Sequence, residues 1–99
     1  MFVVLLKFCG DRSRAKALMA GHNEWIRRGL DEGLLLLVGS LAEGSGGAIL
    51  VDQCERTELE ATLRRDPLIA AAAVSVEVIE LTPTESDPRL RFLLDNEAT

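Results

Sequence analysis

Two stretches of this 99-residue chain are apolar on both faces, and they restrict its fold more than any other feature. Phe2 to Phe8 (FVVLLKF) sets Phe2, Val4, Leu6 and Phe8 against Val3 and Leu5, and Leu34 to Val38 is apolar throughout. Short β-rich runs closed by Gly10-Asp11 and Gly39-Ser40 read as strands. A strand that is apolar on both sides needs cover on both sides.

The rest of the chain supplies cover for one side. Between the two strands, Ser13 to Gly33 places Ala15, Leu18, Met19, His22, Trp25, Ile26 and Gly29 at steps of three and four. That spacing is one face of an α-helix turned toward the core. Asp11 or Ser13 is a cap for this helix, and Gly29 and Gly33 mark its end. Leu34 to Leu41 and Ala48 to Val51 form a hairpin around the flexible Glu43-Gly44-Ser45-Gly46-Gly47 turn. Arg56 to Arg65 is a second helix, capped by Thr57 or Asp52 and stopped by Asp66-Pro67. Leu68 to Ala73 adds about one helical turn, and Val74 to Leu81 (VSVEVIEL) alternates as a last strand. Pro83 to Pro88 is a linker, and Arg89 to Asp95 (RLRFLLD) reads equally as a strand or a short helix.

The order β-α-β-β-α-β predicts an α+β, ferredoxin-like fold, a four-stranded antiparallel sheet with two helices on one face. The other face stays apolar and uncovered, which a soluble monomer rarely tolerates. A second copy packed sheet to sheet on a two-fold axis is the expected cover, so the chain is expected to form a homodimer. Residues 1–83 form the domain, and 84–99 a C-terminal tail whose Leu90, Phe92 and Leu94 are expected to dock on the partner subunit.

Composition narrows the partners. A net charge of −5 argues against wide phosphate contact, so no nucleic-acid partner is expected. No apolar run reaches the ~18 residues of a membrane span, so no membrane partner is expected either. The N-terminus reaches Lys7 with no basic region ahead of its apolar run, which does not read as a signal peptide. Cys9 and Cys54 lack the spacing of a zinc site or a redox pair. Reduced thiols and a cytoplasmic location are therefore expected.

His22, the only histidine in the chain, carries the chemistry if any residue does. On an apolar helix face an imidazole needs a hydrogen-bonding partner. Asp66 is the candidate, because helices lying side by side on the sheet bring the end of the second to the middle of the first. A carboxylate on one ring nitrogen fixes the tautomer and leaves the other nitrogen free to take a proton. Asp66 also reads simply as a turn residue capping the segment after Pro67. Gly39 and Ser40 at a strand end are candidate substrate-binding groups, and Trp25, one turn beyond His22, a candidate pocket wall. One histidine without an H-x-x-x-H partner gives no metal site, and Gly44 to Gly47 without a lysine gives no phosphate loop. No cofactor is expected.

The order of His22, Asp31-Glu32-Gly33, LLLLVGS, Gly46-Gly47 and Asp66-Pro67 resembles the YCII-related family from Met1 to about Pro83. The resemblance implies a dimeric α+β barrel with a cleft in each subunit and a His–Asp active site, here His22 and Asp66. Relatives of known activity act on small chlorinated or hydroxylated aromatic compounds by elimination or proton transfer without a cofactor. The chain departs from the family at Met19, where many members carry arginine, and at Leu68 and the alanine run behind it. Both changes make the pocket more apolar and less suited to an anion. The function expected is cofactor-independent proton transfer or elimination, lyase- or isomerase-like, on a small apolar or aromatic molecule. The alternative is a non-catalytic ligand-binding or assembly module in which His22 only packs.

Overall fold

The computed structural model describes the backbone of residues 1–98 and the side chains through Leu94; the side chains of 95–98 and the whole of residue 99 lie outside the described residues. The elements run β1 (Phe2–Phe8), α1 (Arg12–Asp31), β2 (Leu35–Ser40), β3 (Gly46–Val51), α2 (Arg56–Leu63), α3 (Pro67–Ala70) and β4 (Val74–Glu80). A short 3-10 turn at Ala42–Gly44 joins β2 to β3, and a 3-10 segment, Pro88–Ala98, follows β4. The four strands form one antiparallel sheet in the order β2-β3-β1-β4. The ferredoxin-like α+β architecture is as the pattern predicts, with α3 as the extra turn.

Strand register sorts the side chains. Phe2, Val4 and Leu6 of β1 pair with Val51, Ile49 and Gly47 of β3 and share their face, which is almost fully buried. Ala15 and Trp25 from α1, Leu59 and Leu63 from α2 and Leu68 from α3 complete the core on that side. Each such aliphatic side chain removed from water contributes about 1.5–3 kcal/mol, so this layer dominates stability. On the opposite face Val3 and Leu5 are only half-buried, while Leu37 and Ile79 are 60% and 42% exposed.

One irregularity decides which face the end of β2 shows. The pairing of β2 with β3 slips between Leu35 and Leu37, a β-bulge at Leu36. A slip of one residue exchanges the two faces for everything beyond it. Leu37 therefore turns outward, while Val38 and Ser40 pair with Ile49 and Gly47 on the helix-covered side. Without the bulge Ser40 would point away from α1.

Local chemistry explains the ends, with several corrections to the sequence expectation. Asp11 caps α1, accepting from the Ser13 backbone N–H at 2.9 Å and the Ser13 hydroxyl at 2.7 Å. The Ser13 hydroxyl first, then the backbone N–H, holds this carboxyl below its ordinary range. Gly29 does not end the helix. It is buried inside α1, where an added Cβ would stand 2.6 Å from Leu35 Cγ, so its lack of a side chain lets β2 close against the helix. Neither Thr57 nor Asp52 caps α2: Glu55 does, its N–H donating to the Glu58 carboxylate at 3.4 Å, while Asp52 accepts from the Gln53 N–H. The last strand starts alternating but stays wetter than expected, since β4 is an edge strand and Val76 is exposed.

Candidate active site

The amphipathic spacing of α1 delivers His22 to the core side, buried to 8% exposure, and Asp66 meets it there with none of its surface exposed. His22 Nδ1 and Asp66 Oδ1 are 2.8 Å apart. The contact spans α1 and the start of α3, and two residues beside it make the approach possible. Pro67, first residue of α3, holds the chain extended at Asp66 and supplies a helix start with no N–H to satisfy. Gly21, adjacent to His22, receives the proline ring: a Cβ there would lie 3.0 Å from Pro67 Cγ. Sequence reading missed Gly21, whose only signal was a glycine inside a helical pattern.

Asp66 holds two jobs with one atom. Oδ1 also accepts the Leu68 backbone N–H at 3.2 Å, capping α3. The contact with His22 and the cap are thus both present at Asp66. Its second oxygen, Oδ2, is buried with no hydrogen-bond partner among the described residues. An unsatisfied buried carboxylate oxygen is costly, and a helix cap alone does not require the burial. A carboxylate oxygen only accepts, so the contact is a hydrogen bond in the tautomer that carries its proton on Nδ1. Nε2 makes no hydrogen bond to another described residue.

His22 forms part of the wall of a cleft of about 380 Å³ between α1 and the sheet. Met19, Asn23 and Ile26 from α1, Leu6 and Phe8 from β1, Val38, Gly39 and Ser40 from β2 and Leu68 from α3 line it as well. The bulge in β2 is what brings Ser40 to this side. Arg12 braces the rim: it donates to the Gly44 carbonyl at 2.9 Å and its guanidinium lies 4.8 Å above the Phe8 ring.

Trp25 is placed differently from expectation. It does not line the His22 cleft. Its ring stacks behind His22 with centroids 6.0 Å apart, and its Nε1–H donates to the Thr62 carbonyl at 3.1 Å. The step of three residues carries it past the cleft to a second, smaller hollow of about 230 Å³ shared with Arg28 and Arg65. Trp25 therefore buttresses the imidazole from behind. Among the described residues no group of three or more histidine, cysteine or acidic side chains is placed to hold a metal ion. No helix among them is long and apolar enough to cross a membrane.

The YCII-related domain model matches residues 1–82, and the chain belongs to that family. Among solved structures it is similar to 5-chloro-2-hydroxyhydroquinone dehydrochlorinase from Burkholderia phenoliruptrix AC1100, in complex with 2,5-dihydroxybenzoquinone. That match has a TM-score of 0.70 at 12% identity, covering 84% of this chain and 94% of the other. It is also similar to muconolactone isomerase, with a TM-score of 0.72 at 24% identity, covering 88% of this chain and 93% of the other. Both are dimeric α+β barrel proteins, and at these identities the likeness establishes the fold. No curated protein matches the sequence.

Proposed function

For this member of the YCII-related family, we propose cofactor-independent proton transfer on a small apolar or aromatic molecule, with His22 as general acid and base and Asp66 as its orienting partner. The observation that carries it is the 2.8 Å contact between Nδ1 and Oδ1 in a buried pair whose ring borders the 380 Å³ cleft. A base must be within reach of the proton it removes, with its accepting atom free, and Nε2 meets the second condition. Asp66 holds the ring in one tautomer and stabilises the imidazolium once Nε2 has taken a proton.

The bond changes are simple. Nε2 takes a proton from a substrate carbon, and the C–H electron pair moves into a new double bond. In an elimination, a leaving group on the neighbouring carbon departs with its bonding electrons. In an isomerisation, an existing double bond shifts and Nε2 returns the proton to a different carbon. Gly39 and Ser40 shape the far wall, and the Ser40 hydroxyl is a donor for a substrate oxygen on which negative charge develops. The two solved relatives are by name a dehydrochlorinase and an isomerase, and a base of this kind would serve loss of hydrogen chloride or a double-bond shift.

The same reading includes a homodimer. Leu37, Ile79 and Leu81 leave an apolar face on the sheet that a second copy would cover, and the exposed Leu90 and Phe92, with Leu94, would dock on that partner. A cytoplasmic setting fits two free cysteines, of which burial pushes the Cys54 thiol upward and keeps it protonated. Light scattering during size exclusion should give twice the chain mass at micromolar concentration, and a stable monomer would remove the dimer from the proposal. Deleting 84–99 should weaken the dimer; an unchanged dimer affinity would remove the tail's role.

The catalytic test uses chloride release from 5-chloro-2-hydroxyhydroquinone and double-bond migration in unsaturated lactones, with urea unfolding run on every variant. Wild type should turn over at least one of them, and His22→Gln should lose about 100-fold or more. If the wild type turns over none of them, or His22→Gln keeps the rate, His22 only packs.

A further inference from the structure

Behind the His22–Trp25 stack lies the hollow of about 230 Å³ that the proposed reaction leaves unused. It follows one stripe of α1, from Gly21 through Trp25 and Arg28 to Glu32, with Arg65 and Pro67 on its other side. Its charged lining is balanced, with Glu24 and Glu32 against the guanidiniums of Arg28 and Arg65. Glu24 and Arg28 meet only at 3.7 Å on an exposed helix surface, a pairing that contributes little and yields readily to a ligand. The side chains of Glu32 and Arg65 make no ion pair among the described residues, although both border the hollow. A second hollow, of about 450 Å³, shares Glu32, Thr62 and Arg65 with the first and adds only acids, Asp52 and Glu58.

We infer that the hollow behind Trp25 is a second ligand site, separate from the His22 cleft, for a small zwitterion of the amino-acid class. Its carboxylate takes the paired N–H donors of Arg65 or Arg28, and its ammonium takes the Glu32 carboxylate. A simple anion gains the guanidiniums but faces the acids, and a simple cation meets the reverse. A zwitterion is matched at both ends. The volume lies below that of pockets for drug-sized molecules and suits a ligand of few heavy atoms. The same hollow touches what holds the His22–Asp66 pair: Trp25 stacks on His22, and Gly21 and Pro67 seat Asp66. Occupancy therefore registers at the imidazole. The inference does not rest on catalysis at His22.

Trp25 is the only tryptophan in the chain and borders the hollow, so its fluorescence reports binding directly. Titration with glycine, L-alanine and L-leucine should give a saturable change in the millimolar range for at least one of them. Acetate and ethylamine should bind at least about tenfold more weakly. Arg65→Ala and Glu32→Gln, both at exposed positions, should each weaken binding about tenfold or more. Arg64→Ala, exposed beside Arg65 but outside the hollow, should leave it unchanged. The imidazole nitrogen-15 signals should shift in the same titration, while His22→Gln keeps the affinity. No saturable response to any of the three amino acids overturns the inference, as does acetate binding as tightly as alanine. Equal losses in Arg64→Ala and Arg65→Ala overturn it too, by reducing the effect to surface charge. Loss of binding in His22→Gln would assign the ligand to the cleft and overturn it as well. Saturation at Trp25 with an unmoved imidazole would remove the coupling to His22 and keep the site.

Discussion

Two aspartates in this molecule do the same local job in opposite surroundings. Asp11 and Asp66 both cap helices, each accepting the backbone N–H two residues on, from Ser13 at 2.9 Å and Leu68 at 3.2 Å. Asp11 does so in water, with the Ser13 hydroxyl as its second donor. Asp66 does so fully buried, with His22 as its second donor and Oδ2 left without a partner. Capping accounts for everything at Asp11. It does not account for the burial of Asp66, and the surplus is what points to chemistry at His22.

The comparison yields predictions in descending size. Asp66→Ala removes the cap and leaves the buried imidazole unpartnered, and should cost about 3 kcal/mol in urea unfolding. A loss no larger than that of Asp11→Ala would make the two caps equivalent. Asp66→Asn keeps an acceptor at Oδ1, so its stability loss should be nearer 1 kcal/mol, with the His22-dependent rate falling far more than the stability. Parallel losses would mean that Asp66 is structural only.

Gly21→Ala sharpens the contrast from the other side. The helix gains up to about 1 kcal/mol from the better helix former, while the Pro67 ring must give way at 3.0 Å. Net stability should move by less than about 1 kcal/mol, yet ligand binding or turnover at His22 should drop. An unchanged site would show that Asp66 does not depend on the close fit of α3 against α1.

The smallest effect belongs to Asp11. Its folded carboxyl sits below the ordinary value of 3.8, so its contribution to stability is present above that pH and lost as pH falls through the folded value. The gap between wild type and Asp11→Ala, followed by thermal unfolding against pH, should be full near neutrality and close in acid. A gap that persists below that range would break the assignment.

These contrasts mark what the sequence could reveal. Period and turn chemistry are local, so the strands, α1 with His22 on its inner face, and the Asp66-Pro67 stop were all readable from neighbours in the chain. The partner of His22 was readable too, because the ferredoxin-like order sets the two helices side by side. What escaped depends on contacts across the fold. The bulge at Leu36 lies in an unbroken run of leucines with no parity to violate, and it alone decides which side Ser40 faces. Trp25 sits at proper helical spacing, yet a step of three residues carries it past the cleft to the back of the imidazole. Gly29 looked like a helix end and Gly21 went unread, whereas each is a place where a leucine or a proline presses on the helix.

The central claim is that Asp66 fixes His22 with its proton on Nδ1 and its lone pair on Nε2, open to the cleft. Nitrogen-15 spectra of the imidazole test this without ambiguity, since the chain has one histidine. The account predicts, for the neutral ring, a protonated Nδ1 and a bare Nε2 in the wild type. It also predicts a Nε2 shift when an aromatic ligand enters the cleft, and loss of the single tautomer in Asp66→Ala. A ring protonated on Nε2, or one indifferent to Asp66→Ala, would contradict it.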